Sequence, residues 1–354
     1  MNHIRQIREA LAASECDALM LTSEVNRSYA TGFPSTDGLA VITADKAWYF
    51  TDSRYIEAAE QAITDCTVEM VSSARSYGQA LADIIREEDI GTIGFEEATM
   101  TVFDYLTWKD RIPAEMKPSQ KLLTDLRASK SREELAQMID AQRLAEKAFL
   151  EILPLISTDI TEKELAAELV YRFLRYGAED KSFDPIVVSG PRSSMPHGVP
   201  TDARIGKGFL TIDFGVKLGG WCSDTTRTLC VGEPTEEMRK VYDTVLRAQQ
   251  AGIDRARAGL TGKEVDAVAR DLIHAEGYGG FFGHGFGHGV GLEIHEAPTL
   301  NPGGTTPLPA GAVVSAEPGI YLPGQFGVRI EDVLYLTEEG CEDITDLPRE
   351  LTIL

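Results

Sequence analysis

Thr161–Lys163–Glu164 and Thr261–Lys263–Glu264 stand 100 positions apart. Each opens a stretch with helical apolar spacing, DITEKELAAELVYRFLRYG and GLTGKEVDAVARDLIHAEGYG. In each, the threonine can cap the helix while the glutamate reaches back to its amide, and glycine closes the last turn. A longer helical stretch precedes each one (131–153 and 235–258), and strand-like segments follow. This repeat constrains the fold more than any single segment does. It implies two related helix–helix–strand halves facing one another, with a site at their junction drawing residues from both.

The chain ahead of the repeat reads differently. DALMLTS (17–23), GLAVITA (38–44), AWYFTD (47–52) and TIGFE (92–96) are strand-like, and SRYIEAAEQAI and YGQALADIIREE between them are helical. That alternation describes an α/β layer domain. The charged helix RASKSREELAQMIDAQRLAEKAFLEIL (127–153) follows, with Ser131 as N-cap and Glu134 at the capping-box spacing. The boundary falls just before it, giving domains 1–126 and 127–354. Two domains are also what a 354-residue chain suggests.

Charge excludes some partners. A net charge of −22 argues against nucleic acid and anionic membrane, both of which need a basic face. No apolar run reaches the roughly 18–20 residues of a membrane span. MNHIRQIREALAA places Ile4, Ile7 and Leu11 at helical spacing and reads as an amphipathic helix rather than a signal peptide. The five scattered cysteines contain no CxxC, which argues against a disulfide framework or thiolate metal site and fits a reducing cytoplasm.

The candidate chemistry lies in carboxylates set among apolar strand residues. They are Asp213 in FLTIDFGV, Asp224 in WCSDTTRTLCV, Glu317 in AVVSAEPGIYL, and Glu331 with Asp332 in GVRIEDVLYL. A buried carboxylate must be neutralised, paired or bound to metal. One alone is more often a satisfied structural acid; four such segments beside an imidazole-rich stretch point to ligation. A hairpin through Lys217–Gly220 would bring Asp213 and Asp224 onto adjacent strands, and Arg329 and Glu331 share a strand face. In HGFGHGVGLEIHEAP (284–298), His284, Phe286, His288 and Val290 fall on one period-two face, with glycines on the other permitting close backbone approach. The stretch is too glycine-rich for the helix that an HExxH zinc site needs.

Charge also bears on stoichiometry. Four carboxylates balance two divalent ions and leave an excess with one. Oxygen-rich ligation with one imidazole favours Mn²⁺ or Co²⁺, with Zn²⁺ or Fe²⁺ as alternatives. A water between two such ions becomes the nucleophile near neutral pH. His197, in the loop VVSGPRSSMPHGVP, would on its own be a surface residue, and His3 and His274 carry no role.

IVVSGPRSSMPHG, DFGVKLGGWCSDTTRT, HGFGHGVGLEIHEAP, SAEPGIYLPG and GVRIEDV, in that order, resemble the M24 metallopeptidases of the prolidase and aminopeptidase P type, with the creatinase-like "pita-bread" fold. The resemblance covers roughly 127–354, and NRSYATGF and TDSRYIEAA are weaker marks of the family's N-terminal domain. It implies an α/β N-terminal domain and an α+β pita-bread catalytic domain with a pseudo-twofold internal repeat. It implies two metals held by Asp213, Asp224, His288, Glu317 and Glu331, with Asp224 and Glu331 bridging, and so selects Glu331 over Asp332. Glu317 would handle the proton of the attacking water, His197, His284 and His295 would line the substrate site, and Arg329 would support the bridging carboxylates. Trp221 stands where the family commonly has tyrosine, and Gly285–Phe286 replaces a frequent Ser/Thr pair.

The function implied is a cytoplasmic dinuclear-metal hydrolase, commonly a homodimer in this family, cleaving small peptides before proline as an Xaa-Pro dipeptidase or an Xaa-Pro aminopeptidase. The alternatives are a non-proline-specific aminopeptidase of the same fold and a non-enzymatic pita-bread binding protein; five intact ligand positions weigh against the latter.

Overall fold

The computed structural model describes residues 2–354, and its contacts divide into two compact units, the first ending at Arg127 and the second spanning Ala128–Leu354.

In the first unit the order is α1 (Ile4–Ala12), β1 (Ala18–Leu21), α2 (Glu24–Thr31), β2 (Leu39–Thr43), β3 (Ala47–Thr51), α3 (Ile56–Ala62), β4 (Thr67–Met70), α4 (Tyr77–Glu87), β5 (Thr92–Phe95), α5 (Val102–Arg111), β6 (Glu115–Pro118) and α6 (Gln120–Ala128). The strands form one mixed sheet in the order β4-β3-β2-β1-β5-β6. Its central strands are buried along their length, and Met20, Val41 and Phe50 pack against Leu81 and Ile84 of α4. On α1, Ile4, Ile7 and Leu11 are buried at the spacing the sequence shows.

The second unit begins with two helices, α7 (Arg132–Ile152) and α8 (Glu162–Arg175). Strands β7 (Asp180–Lys181), β8 (Ile186–Ser189), β9 (Gly208–Phe214), β10 (Val216–Leu218), β11 (Trp221–Cys222) and β12 (Thr225–Val231) follow. A second helix pair, α9 (Glu236–Arg255) and α10 (Gly262–Ala275), leads into β13 (Gly287–Gly289), β14 (Glu296–Leu300), β15 (Val313–Ala316), β16 (Gly319–Leu322), β17 (Phe326–Arg329), β18 (Asp332–Leu336) and β19 (Cys341–Asp343). The capping boxes of α7, α8 and α10 are all formed, Thr161 with Glu164 and Thr261 with Glu264 included. Each such cap contributes about 1 kcal/mol to its helix.

Each helix pair covers a strand layer. Ala145 and Phe149 of α7 and Leu165 and Phe173 of α8 pack on Leu210, Ile212 and Phe214 of β9, with the rings of Phe149 and Phe214 stacked at 4.9 Å. Val241 and Val245 of α9 and Val265 and Ala269 of α10 pack with Val314 of β15, Val328 of β17 and Leu334 of β18. The sheets are β12-β9-β8 in the first half and β14-β13-β15-β18-β19 in the second, with smaller β11-β10-β7 and β16-β17 ribbons. The second unit is an α+β catalytic fold built from two related halves, and the first is an α/β unit.

Candidate active site

Strand alternation aims the first acid. On β9, Leu210, Ile212 and Phe214 enter the core under α7 and α8, so Thr211 and Asp213 take the opposite face. β12 runs antiparallel beside it, with Thr226 opposite Asp213 and Thr228 opposite Thr211. The return between the two Asp residues is the two-residue turn Gly219–Gly220, with φ of 58° and 82°. Both angles are positive, the geometry that joins tightly paired strands and admits glycine most readily. Asp224 follows β11 and precedes β12, outside either strand.

The second half brings its residues to the same face through backbone bonds. The Glu331 N–H donates to Thr226 O at 3.1 Å, and the Glu317 N–H donates to Phe286 O at 2.7 Å. Asp332, the neighbour of Glu331, points away and pairs with Arg227 at 2.7 Å. Glycine at 287 is required by close approach, because a Cβ there would sit 1.9 Å from Ser315 O.

The period-two strand expected through His284, Phe286, His288 and Val290 is confined to Gly287–Gly289. Phe286 and Val290 are core residues and do not share a face with the histidines toward the cavity. Phe286 fills the space over Gly252 of α9, where an added Cβ would lie 2.2 Å from its ring. Burying such a ring stabilises by roughly 1.5–3 kcal/mol, which outweighs strand continuity.

One cavity of about 740 Å³ gathers the residues singled out in the sequence: Asp213, Asp224, His288, Glu317, Glu331, Arg329, His197, His284 and His295. His288 Nε2 lies 3.2 Å from Glu317 Oε1 and 3.6 Å from Asp224 Oδ2. Asp224, His288 and Glu331 each offer a ligand atom, all within 4.8 Å of one another. Arg329 donates to Asp213 Oδ2 at 2.6 Å, to Tyr321 Oη at 2.9 Å and to Thr226 Oγ1 at 3.0 Å. The Thr226 hydroxyl in turn donates a hydrogen bond to Glu331 Oε2 at 2.7 Å. His284 Nδ1 donates to Gly285 O, so its Nε2 accepts from the Tyr321 hydroxyl at 2.8 Å. His197 and His295 are solvent-exposed, and the His295 ring meets that of His288 at 4.3 Å.

The charges do not balance. Burial, then the charges of Glu331, Asp213 and Glu317, push the Asp224 carboxyl well above the usual range. Burial and the charges of Glu317 and Asp213 do the same to Glu331. Burial also raises Asp213, against the pull of Arg329. Glu317 goes the other way: burial opposes its ionisation, but the hydrogen bond and charge of His288, with His284 and Arg329, prevail and hold it at about 2. His288 is correspondingly raised, Glu317 overcoming the effect of burial. Burial lowers His284 and His295, which are neutral near pH 7.

Four carboxylates thus share one wall, with Arg329 the permanent counter-charge bonded into the cluster. Asp213 Oδ1 is buried without a hydrogen-bond partner among the described residues. His288 donates through Nδ1 to Gly289 O at 3.1 Å, which leaves Nε2 facing the carboxylates. Hard oxygens with one imidazole, a spare buried lone pair and excess negative charge are a donor set suited to divalent metal. Tyr321, Thr226 and Ser315 escaped the sequence reading as site residues. Tyr321 stands four positions after Glu317, but nothing in SAEPGIYL signals that its hydroxyl joins His284 to Arg329.

The profile of metallopeptidase family M24 matches residues 136–338, and that of the creatinase/prolidase N-terminal domain matches residues 3–129. An uncharacterized peptidase of Bacillus subtilis is 42% identical over 353 residues, 99% of each chain. The structure superposes on an Xaa-Pro dipeptidase from Bacillus anthracis with a TM-score of 0.95, at 41% identity over 99% of each chain. It superposes on an X-Pro aminopeptidase from Thermotoga maritima with a TM-score of 0.92, at 36% identity over 98% of this chain and 100% of that one.

Proposed function

The chain belongs to metallopeptidase family M24, and from that premise we propose that it hydrolyses the peptide bond preceding proline in small peptides, with two divalent ions held by Asp213, Asp224, His288, Glu317 and Glu331. The buried, uncompensated carboxylate cluster with its spare Asp213 oxygen carries this reading. Mn²⁺ or Co²⁺ suits the donor set best. Divalent ions bound there supply Lewis acidity to the scissile carbonyl and make a water nucleophilic near neutral pH.

The chain's own residues do the rest. Arg329 fixes Asp213 directly and Glu331 through Thr226, so both carboxylates are oriented before metal arrives. Glu317 is ionised at rest and is the group to take a proton from the attacking water and return it to the leaving proline nitrogen. His197 and His295, at the exposed part of the cavity wall, donate to the oxygen that gains charge in the tetrahedral state.

The wall opposite in character is apolar: Phe183, Pro185, Ile186, Pro196, Val199 and Ile294. A proline ring is apolar and its imide nitrogen carries no hydrogen, so such a wall leaves no donor unsatisfied. The five scattered cysteines, none bonded to another, suit a reducing cytoplasm.

Steady-state assay of the Mn²⁺-loaded protein on Xaa-Pro, Xaa-Pro-Yaa and matched Xaa-Ala peptides tests the reading. Turnover confined to proline-containing peptides supports it. Equal rates on Xaa-Ala would replace it with a non-proline-specific aminopeptidase of the same fold.

A further inference from the structure

The segment Phe282–Phe286 has no strand partner, and strand pairing begins only at Gly287. Its glycine at 283 answers no steric demand, since a Cβ there would meet nothing within 4 Å. Free backbone of this kind loses more entropy on ordering than any other. Yet it carries His284, whose ring enters the cavity and is held by the Tyr321 hydroxyl. Something else must fix it.

Asp266 and Arg270, one turn apart on α10, do so. The carboxylate of Asp266 is buried and takes a two-pronged bond from Arg270, Nε to Oδ2 at 2.7 Å and Nη2 to Oδ1 at 2.8 Å. Arg270 then donates to the carbonyls on either side of Gly283, Phe282 O at 3.0 Å and His284 O at 2.6 Å. Asp266 Oδ1 accepts the Phe286 N–H at 2.9 Å. The guanidinium also lies over the Phe282 ring, 4.3 Å from its centroid. Neither residue lines the cavity. A planar fork with this many directed donors has no equivalent in lysine.

The other half has a related acid–arginine tie, differently placed. Glu162, fully buried in the first turn of α8, accepts from Arg192 Nε at 3.1 Å and from the Ser189 and Thr201 N–H groups at 2.9 and 3.0 Å. Arg192 in turn donates to Val199 O at 2.6 Å. The loop so tied carries His197. In both halves an acid on the second helix, paired with an arginine, thus ties down a histidine-bearing loop; Arg270 lies on the helix with its acid, whereas Arg192 lies in the tied loop itself. Helix stability alone needs no such pair.

We propose that Asp266 and Arg270 are positioning residues for His284: they grip the backbone around Gly283 and hold the imidazole in the cavity wall against the Tyr321 hydroxyl. The proposal rests on the assignment of His284 to the substrate site. Arg270→Ala would leave Asp266 buried without its partner and can fail to fold; Arg270→Lys keeps the charge and loses the fork, so it is the working variant.

The test is a double-mutant cycle on the metal-loaded full chain with Arg270→Lys, His284→Ala and the two combined, with metal content measured beside kcat and KM for an Xaa-Pro peptide. Arg270→Lys is expected to keep its metal and lower kcat about tenfold, the scale of a sub-ångström misplacement. In the His284→Ala background the same change is expected to cost less than about twofold, because its effect runs through that ring. The His284 Nδ1–H proton resonance of the metal-free protein, protected by Gly285 O in the native chain, is expected to broaden in Arg270→Lys. An equal loss in both backgrounds would overturn the proposal, as would wild-type kcat in Arg270→Lys alongside an impaired His284→Ala. Wild-type kcat in His284→Ala itself would instead remove the assignment of His284 on which the proposal stands, and the proposal with it.

Discussion

His288 Nε2 and Glu317 Oε1 face each other across 3.2 Å. In the metal-free protein they are a charged pair, the imidazole raised and the carboxylate held at about 2 by each other against the burial of both. Both atoms belong to the proposed ligand set, and the proton of the pair rests on His288 rather than on Glu317.

Proton release on metal binding follows. His288 is raised by Glu317, and Asp224 and Glu331 are raised by burial and mutual repulsion, so all three retain protons at pH values where their ordinary counterparts have begun to lose them. Ligation needs the deprotonated forms. Apparent affinity for Mn²⁺ should therefore rise with pH through neutrality, and calorimetry in buffers of different ionisation heat should show proton release. Heats that do not vary with buffer would contradict this.

The histidines should separate by role. His288→Ala should lose metal. His197→Ala and His295→Ala should keep it and lose kcat by about 10²–10³-fold, the worth of one positioned donor in the transition state. Elemental analysis beside kcat checks the division, and metal loss in His197→Ala or His295→Ala equal to that in His288→Ala would undo it.

Glu317→Gln keeps the shape and one oxygen while removing the charge that makes Glu317 a proton carrier. The Ser315 hydroxyl, which donates to Oε1 at 3.2 Å, can still hold it. Hydrolysis should fall by about 10²–10⁴-fold in protein that retains metal. A fully metallated variant with near-native turnover would assign the proton to another group.

Local grammar was the legible part of this chain. The capping boxes at Thr161 and Thr261, the Gly219–Gly220 turn and the buried faces of α1 and β9 are written in short-range pattern, and the structure carries all of them. Acids among apolar strand residues marked the cavity wall because burial of charge is rare enough to notice. Elements with exposed faces were missed: β4 and β6 are largely exposed, and α5 buries no residue, so neither alternation nor a helical stripe shows. Phe286 was misplaced because period two cannot report that α9 leaves a space at Gly252 for its ring. Tyr321 and the Asp266–Arg270 pair act through bonds to residues far along the chain, which spacing does not encode.

If the carboxylate cluster binds two divalent ions, peptide hydrolysis before proline must depend on them. Titrating Mn²⁺ into metal-free protein while following bound metal and Xaa-Pro hydrolysis together tests it most directly. No turnover is expected without metal, activity should reach its plateau at two ions per chain, and both binding and turnover should be lost in Asp224→Ala and Glu331→Ala. Undiminished hydrolysis in metal-free protein, or two ions and near-normal turnover in both variants, would contradict it.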